Sequence, residues 1–258
     1  IPQVLKVIKK NNKKNLIIKP PKKCPVCQSP TFKEKDEAVL RCLNTYGCYA
    51  QKISQIIHFI SKKALNIDGF GEKQVKQFFD LKLINNIYDI FHIKKYKNRI
   101  ENLEGWGKLS IDNLLNSIEK SKTINLDRFI FSLGIRFIGE INSEILAKEF
   151  KSVENFIISS NNTQILSNID GLGPKAISSI KNYLSFNENV ILIKKLSKIL
   201  NIKENLIKNT KNFFNGKKIV FTGTLDSISR DEAKHITKEV GAKILSTVSN
   251  NTDYLIIG

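Results

Sequence analysis

The chain has 258 residues, of which 41% are hydrophobic, and it carries a formal net charge of +18. This length allows one to three domains with buried cores, and the charge favours a polyanionic partner such as nucleic acid. The sequence contains no run of 18 apolar residues and no recognisable secretory signal. These absences argue against a membrane protein, and we expect a cytoplasmic one.

The positive charge has two explanations. All but five of the 42 basic residues are lysines, which fits the codon usage of an AT-rich genome. The distribution favours a binding role instead, because residues 1–60 contain twelve basic residues against three acidic ones. Half of the surplus charge therefore lies in less than a quarter of the chain.

The N-terminal residues 1–10 alternate in a way that predicts a strand, and we expect further sequence upstream of it. Residues 11–22 are rich in lysine and asparagine and include Pro20 and Pro21, so they are predicted to form a linker.

The cysteines all fall within 25 residues, in the pattern C-x2-C-x14-C-x5-C formed by Cys24, Cys27, Cys42 and Cys48. Two pairs of thiols separated by a short loop are typical of a structural zinc site with four thiolate ligands. Gly47 can adopt positive φ and turn the chain before Cys48. Two disulfides or four unrelated core thiols are the alternatives. We predict one structural zinc ion in a module at 23–51, which is too short to fold on a core of its own.

Helical periodicity runs from residue 52 to residue 200. Apolar residues at i, i+3 and i+4 form stripes such as Ile53, Ile56 and Ile60, which predict ordinary core faces. Four glycine-containing turns interrupt the helices at 69–71, 105–107, 134–139 and 171–173. Their closing glycines lie 36, 32 and 34 residues apart, which indicates one repeated unit of helix, hairpin and helix.

The glycine turns leave backbone amides uncovered at the start of a helix, where anions bind. On a basic chain, a row of such sites predicts contact with the phosphates of DNA. The alternative for each turn is a tight helix–helix connection with no ligand, and we expect Trp106 to plug its hairpin rather than stack on bases. The candidate DNA-binding residues are Gly69, Gly71, Lys73, Gly105, Gly107, Lys108, Arg136, Gly139, Gly171, Gly173 and Lys175.

The C-terminal residues change character after a polar segment at 201–212, which is predicted to be a second linker. Residues 213–258 predict a strand that ends at Gly223, a helix capped by Ser229 and stopped by Gly241, and strands at 242–248 and 254–257. This order is typical of a small α/β domain, which we expect to be truncated here. Thr222 and Gly223 form a candidate phosphate-binding turn, with a plain turn as the alternative.

The ordered set of motifs resembles the C-terminal half of bacterial NAD-dependent DNA ligases. That family has an adenylation domain, an OB-fold, a four-cysteine zinc finger, four helix-hairpin-helix motifs and a BRCT domain. The similar stretches are 1–4 for the end of the OB-fold, Cys24 to Cys48 for the zinc finger, 67–71, 103–107, 133–140 and 169–175 for the hairpins, and 221–225 with 229–233 for the BRCT domain. The implied fold is mainly α, with a zinc finger, a tandem helix-hairpin-helix domain at 52–200 and a truncated α/β BRCT-like domain at 213–258.

The resemblance also implies an activity, the sealing of nicks between a 5′-phosphate and a 3′-hydroxyl, with NAD and Mg²⁺ as cofactors. The family's reaction begins on the lysine of a K-x-D-G motif. The two Asp-Gly pairs of this chain have Asn66 and Asn168 where that lysine would stand. We therefore expect the nucleotide pocket upstream of Ile1, no catalytic residue in this chain, and no sealing activity from it alone.

The implied partners are nicked double-stranded DNA and the adenylation and OB-fold domains of the same protein, and we expect a monomer. Two other functions stay open at this point. One is a non-catalytic DNA-repair scaffold whose BRCT end binds phosphorylated protein. The other is a nuclease subunit with tandem hairpins, which would need a cluster of acidic residues that the sequence does not show.

Overall fold

A computed structural model describes residues 19–34, 37–160, 162–204 and 213–258. The predicted strand at 1–10 and most of the linker at 11–22 lie outside the described residues. The described part contains a small cysteine module, a large helical domain and a small α/β unit, so the prediction of a mainly α protein is confirmed.

The cysteine module contains two short antiparallel strands, β1 (Thr31–Lys33) and β2 (Leu40–Cys42). Helix α1 (Tyr49–Ile60) begins directly after them, and Cys48 is its N-cap residue. The predicted start of helical structure at residue 52 is therefore three residues late. The fourth cysteine belongs both to the module and to the first helix of the next domain.

The helical domain consists of short helices joined by tight turns. In chain order after α1 they are α2 (Glu72–Asp80), a 3₁₀ helix (Ile87–Tyr96), α3 (Lys97–Glu101), α4 (Lys108–Ser121), α5 (Leu126–Ser132), α6 (Glu140–Phe150), α7 (Val153–Ser159), α8 (Thr163–Ser167), α9 (Pro174–Ser185) and α10 (Asn187–Ile199). One contiguous core joins them from Ile53 to Leu200, because most of the helices bury an apolar stripe with helical spacing, while α3 and α8 each bury a single side chain. Phe59, Phe78 and Phe129 are fully buried within it.

Two short strands close this domain. β3 (Thr123–Asn125) pairs in parallel with β4 (Asn201–Lys203), which brings Ile124 beside Ile202. Residues 201–203 thus belong to the helical domain, and the linker predicted at 201–212 starts too early. The sequence pattern missed β4 because three residues with one apolar side chain carry no periodic signal. Residues 205–212 lie outside the described part.

The α/β unit has a three-stranded parallel sheet. β5 (Lys218–Thr222) lies between β6 (Lys243–Ile244) and β7 (Tyr254–Ile257), and α11 (Arg230–Glu239) connects β5 to β6. The hydroxyl of Ser229 accepts a hydrogen bond from the amide of Glu232 at 3.2 Å, which confirms the predicted cap. The strand predicted at 242–248 is only two residues long, since the polar residues that follow it form turns.

Among the described residues, no helix combines the length and the apolar character that crossing a bilayer requires.

The helical core depends on aromatic packing around Phe78, which lies 5.3 Å from the ring of Phe70 and 5.0 Å from the ring of Trp106. We predict that Phe78→Ala lowers the free energy of unfolding of the helical domain by about 3–5 kcal/mol, because a fully buried aromatic side chain is lost and a cavity stays. Urea unfolding followed by far-UV circular dichroism measures this change.

The matched control is Ile158→Ala, since this aliphatic side chain on α7 is 69% exposed. It should change the unfolding free energy by less than about 0.5 kcal/mol. Equal losses for the two variants would contradict the assignment of Phe78 to the core.

Candidate metal centre and nucleic-acid interface

The four cysteine sulfur atoms lie within 4.8 Å of one another. Sγ of Cys24 is 4.0 Å from that of Cys48, and Sγ of Cys27 is 3.5 Å from that of Cys42. A tetrahedral zinc ion with Zn–S bonds of about 2.3 Å requires sulfur–sulfur distances of about 3.8 Å, so the arrangement fits. Disulfide bonds would need sulfur atoms about 2.05 Å apart, which rules out that alternative.

Local turns bring the first two cysteines together. The amide of Cys24 donates to the carbonyl of Ser29 at 2.8 Å, and Gln28 adopts a left-handed φ of 58°. Lys23 forms an isolated bridge with Pro30 just before β1. The chain therefore turns back on itself between Cys24 and Ser29, and Cys27 faces the same point as Cys24.

Gly47 serves a different purpose from the one predicted. Its φ is not in the left-handed region, and its amide donates to Oδ1 of Asn44 at 2.8 Å. A Cβ atom at this position would lie 2.5 Å from the same oxygen. A side chain at this position would have to displace the Asn44 side chain from its hydrogen bond with the amide, whereas the backbone itself places no demand for glycine.

The thiols differ in acidity before a metal binds. Hydrogen bonds from the side chain and backbone of Ser29 lower the pKa of the Cys27 thiol to about 6, whereas burial raises the pKa of the Cys42 thiol to about 11. Zinc binds the thiolate form of cysteine, so Cys27 is ready to bind at neutral pH. The metal itself must displace the proton of Cys42, and binding therefore releases protons.

The cysteine module is held against the helical domain by two tyrosines. The hydroxyl of Tyr46 accepts a hydrogen bond from Nδ2 of Asn189 at 2.9 Å, and its ring lies 5.3 Å from Phe186. The hydroxyl of Tyr49 donates to Oδ1 of Asp80 at 2.9 Å. These contacts reach α10 and α2, so the module touches the helical domain at separate places.

Three of the four predicted hairpins share one backbone geometry. The opening glycines Gly69, Gly105 and Gly171 have φ between 76° and 82°, which only glycine adopts without strain. The residue after each one turns its side chain inward, and the closing glycine is extended and forms the N-cap of the next helix. These N-caps are Gly71 on α2, Gly107 on α4 and Gly173 on α9.

The first amides of α2, α4 and α9 have no partner within their own helix, which is a general property of helix N-termini. The amide of Gly107 is an exception, because it donates to Oγ of Ser110 at 3.1 Å. Pro174 has no amide hydrogen, so the fourth hairpin offers the amides of Gly173 and Lys175. Lys73, Lys108 and Lys175 are exposed beside these amides, as the prediction requires.

The third hairpin departs from the predicted pattern. Gly134, which the sequence indicates as its opening glycine, instead ends α5, and its amide donates to the carbonyl of Phe131 at 3.1 Å. Phe137, with φ of 62°, occupies the left-handed position that glycine holds in the other hairpins. Ile138 is the buried residue and Gly139 is the N-cap of α6. The six-residue spacing misled the prediction because it combines a helix end with a hairpin.

The first two hairpins pack against each other. Nε1 of Trp106 donates to Oε1 of Gln77 at 2.8 Å, and Nε2 of Gln77 donates to the carbonyl of Glu104 at 3.3 Å. The Trp106 ring packs on the core beside Phe78. The expectation that Trp106 plugs its hairpin rather than facing outward is therefore confirmed.

Arg136 is the one predicted DNA-binding side chain among those described that forms ion pairs within the chain, with Glu34 and Glu37 of the cysteine module. In the α/β unit, Thr222 and Gly223 are exposed at the end of β5, where Gly223 has φ of 73°. The amide of Gly258 donates to the carbonyl of Thr222 at 3.0 Å. Phosphate binding at this turn stays a prediction.

Comparison with known proteins agrees with this division of the chain. The NAD-dependent DNA ligase C4 zinc finger domain matches residues 23–50, the helix-hairpin-helix motif matches 128–193, and the BRCA1 C-terminal (BRCT) domain matches 209–258. Proteins named DNA ligase from Rickettsia bellii and Rickettsia typhi are 42% and 43% identical over the whole of this chain. Over its whole length the chain is similar to part of an NAD-dependent DNA ligase.

The chain spans about two fifths of these ligases, 39% of the length of each. Within the part that matches, the zinc finger domain includes all four cysteines, which supports a structural zinc ion. The helix-hairpin-helix match covers the third and fourth hairpins. The first two hairpins lie outside that match, but the second has the same backbone geometry as the fourth.

Four residues that hold the zinc module against the helical domain were not predicted from the sequence. Tyr46 and Tyr49 anchor the module, and Glu34 and Glu37 bind Arg136. These partners lie 31 to 143 positions apart along the chain, so no local pattern reveals them. The position of Phe137 could have been found by aligning the hairpins on their closing glycines.

We predict that the chain contains one zinc ion, held by its four cysteines. Cys48→Ser should remove the ion, because a hydroxyl cannot replace a thiolate in a four-thiolate site. Metal analysis by mass spectrometry after gel filtration measures the ratio of zinc to protein. The matched control is Ala38→Ser at an exposed position between β1 and β2, which leaves all four ligands and their hydrogen bonds and should keep the zinc. Full zinc content in Cys48→Ser would contradict the assignment.

Proposed function

We propose that this chain is the DNA-binding part of an NAD-dependent DNA ligase, which seals nicks between a 5′-phosphate and a 3′-hydroxyl in duplex DNA during replication and repair. The ligase names of its relatives and its zinc finger support this proposal. The observation that carries it is the repeated hairpin geometry, which places open helix N-termini and lysines together on a strongly basic chain.

The grip on DNA comes from backbone amides. At the first, second and fourth hairpins, a phosphate oxygen can approach the first amides of α2, α4 and α9 because the N-cap glycines carry no side chain. At Gly107 and Gly173, even an added Cβ atom would meet nothing within 4 Å, so the approach is open. Contacts of this kind hold the phosphate backbone across the minor groove without reading bases, which suits an enzyme that must act at any sequence.

The lysines beside the hairpins add electrostatic attraction. Lys73 and Lys175 occupy the second position of α2 and α9, and Lys108 occupies the first position of α4. Each can neutralise a phosphate and release a counterion. Affinity for duplex DNA should therefore fall steeply as salt rises.

The zinc module sets the position of the hairpin domain relative to the parts that precede it. Its anchors on α2 and α10, through Tyr49 and Tyr46, hold it against the helical core. In the parent ligase, the adenylation and OB-fold domains of the same polypeptide supply the chemistry, with NAD and Mg²⁺. The parent protein works as a monomer. Because bacterial DNA lies in the cytoplasm, the protein works there.

The chain alone does not carry out the adenylation step, because it has no K-x-D-G lysine. A repair scaffold and a nuclease subunit are not favoured, since its relatives are ligases. Thr222 and Gly223 are proposed to bind a phosphate group at the end of β5.

We predict that Gly107→Val and Gly173→Val each lower affinity for nicked duplex DNA at least about tenfold, because the added side chain keeps a phosphate from charge-assisted hydrogen bonds with the amides. Neither glycine has positive φ and neither position is crowded, so stability should fall by no more than about 1 kcal/mol. Fluorescence anisotropy with a labelled nicked duplex measures the affinity, and thermal unfolding checks the fold.

The control for these variants is Asn182→Val, an exposed position further along α9. It adds the same side chain without covering a helix N-terminus, and its affinity should match that of the original chain. If both glycine variants bind DNA as tightly as the control, the amide mechanism is wrong.

We also predict that the chain takes up no AMP when it is incubated with Mg²⁺ and NAD labelled in its adenylate group. A complete ligase of the same family, treated in parallel, should become labelled on its lysine. Denaturing gel electrophoresis with radioactivity detection measures the transfer, and a labelled band at 29.4 kDa would contradict the proposal.

A further inference from the structure

The third hairpin differs from the others at its opening position, two residues before the N-cap glycine. In the first and second hairpins, a Cβ atom on Gly69 or Gly105 would meet nothing within 4 Å. Phe137 stands at this position in the third hairpin, with φ of 62° and a side chain that is 39% exposed. The third hairpin thus carries an aromatic side chain at a position that is open in the first two hairpins, whereas a Cβ atom on Gly171 of the fourth would lie 3.0 Å from Cδ1 of Ile145.

The left-handed conformation of Phe137 is strained and persists only where neighbouring contacts support it. Nδ2 of Asn142 donates to the Phe137 carbonyl at 2.7 Å. The guanidinium carbon of Arg136 lies 4.5 Å from the centre of the Phe137 ring, and Nζ of Lys175 lies 5.8 Å from it. Two cations therefore lie within cation–π distance of the ring and help to keep it in place.

The Arg136 side chain already forms ion pairs within the chain. Its guanidinium binds Glu34 and Glu37, which lie in the connection between β1 and β2 of the zinc module. The Glu37 side chain is only 13% exposed and also pairs with Arg41 at 3.4 Å. The planar guanidinium can serve two carboxylates at once, which a lysine cannot do with the same geometry.

The charge of Arg136 is compensated within the protein. The hydrogen bond from Arg136 lowers the pKa of Glu34, and the same bond raises the pKa of Arg136, so both groups stay charged at neutral pH. Arg136 is the only basic residue in the third hairpin, at 134–139, and its charge faces the two carboxylates. The other cation beside Phe137 is Lys175, which belongs to the fourth hairpin.

We propose that the third hairpin is a docking site of the zinc module, beside the contacts of Tyr46 and Tyr49, and not a phosphate-binding hairpin, with Arg136 as the positioning residue. This revises the prediction that Arg136 and Gly139 contact DNA. The proposal has two halves. The DNA half, that this hairpin does not bind phosphate, rests on the proposed function. The docking half, that it holds the zinc module, rests on the contacts of Arg136 alone.

The docking half is tested by the release of zinc. In the zinc-loaded chain of 258 residues, Arg136→Gln should speed the transfer of zinc to a chromophoric chelator at least about fivefold, because the β1–β2 connection loses its anchor. Glu34→Gln combined with Glu37→Gln should speed it by a similar factor. All three substitutions together should add little more, since they remove one shared contact.

The DNA half is tested with two matched pairs of variants. Gly139 and Gly107 are both N-cap glycines without positive φ and with open space around them. Gly139→Val should keep the affinity for nicked duplex within about twofold, while Gly107→Val lowers it at least about tenfold. In the zinc-loaded chain, Arg136→Gln should keep the slope of log affinity against log salt, whereas Lys108→Gln reduces its magnitude by about 1.

Each result counts for or against the proposal. Zinc release at an unchanged rate in Arg136→Gln, or additive effects in the combined variant, would overturn the docking half. A loss of affinity in Gly139→Val equal to that in Gly107→Val, or a smaller salt slope in Arg136→Gln, would overturn the DNA half. If the original chain does not bind duplex DNA, the proposed function fails while the zinc measurement still decides the docking.

Discussion

The proposed DNA contacts depend on helix N-termini whose first backbone amides have no hydrogen-bond partner in their own helix. A helix begins with amides that have no partner in their own helix, and most proteins cover them with a side chain. Here three hairpins begin their second helix with glycine, and a preceding glycine with positive φ turns the chain into that position. This arrangement gives up capping energy at each hairpin, and binding of an anion would restore it.

The helical core fixes the positions of these N-termini relative to one another, which the proposed DNA contacts require. Core packing from Ile53 to Leu200 joins the hairpins in one domain, and the contact between Trp106 and Gln77 sets the first two against each other. A phosphate backbone has fixed spacing, so several weak contacts add up only when their positions are fixed in advance. The same core carries the zinc module, which is too small to hold its own shape without metal and anchors.

Much of this could be predicted from local sequence. The spacing of the cysteines predicted a site whose sulfur atoms fit a tetrahedron, and the apolar periodicity predicted the core faces of α1, α2 and α4. The glycine pairs predicted hairpins with the observed backbone, because glycine at positive φ has a direct physical cause. Each of these features depends on residues close together in the chain.

Most of the features that were not predicted depend on contacts that only the folded chain brings together. The pairing of β3 with β4 and the contact of Arg136 with Glu34 join residues far apart in sequence, and no periodic pattern records them. Gly47 was misinterpreted because it has no positive φ and instead donates to the Asn44 side chain, a contact that only the folded structure shows. Phe137 was missed because a phenylalanine in the left-handed region goes against its intrinsic preference, and tertiary contacts override that preference.

The most direct measurement of the central idea is hydrogen exchange of backbone amides with and without a nicked duplex. The account predicts slower exchange on DNA binding for the amides of Gly71 to Lys73, of Lys108 and Leu109, and of Gly173 and Lys175, with no such change at Gly139. Exchange rates at all of these amides that stay the same in the complex, while DNA protects some other surface, would contradict it.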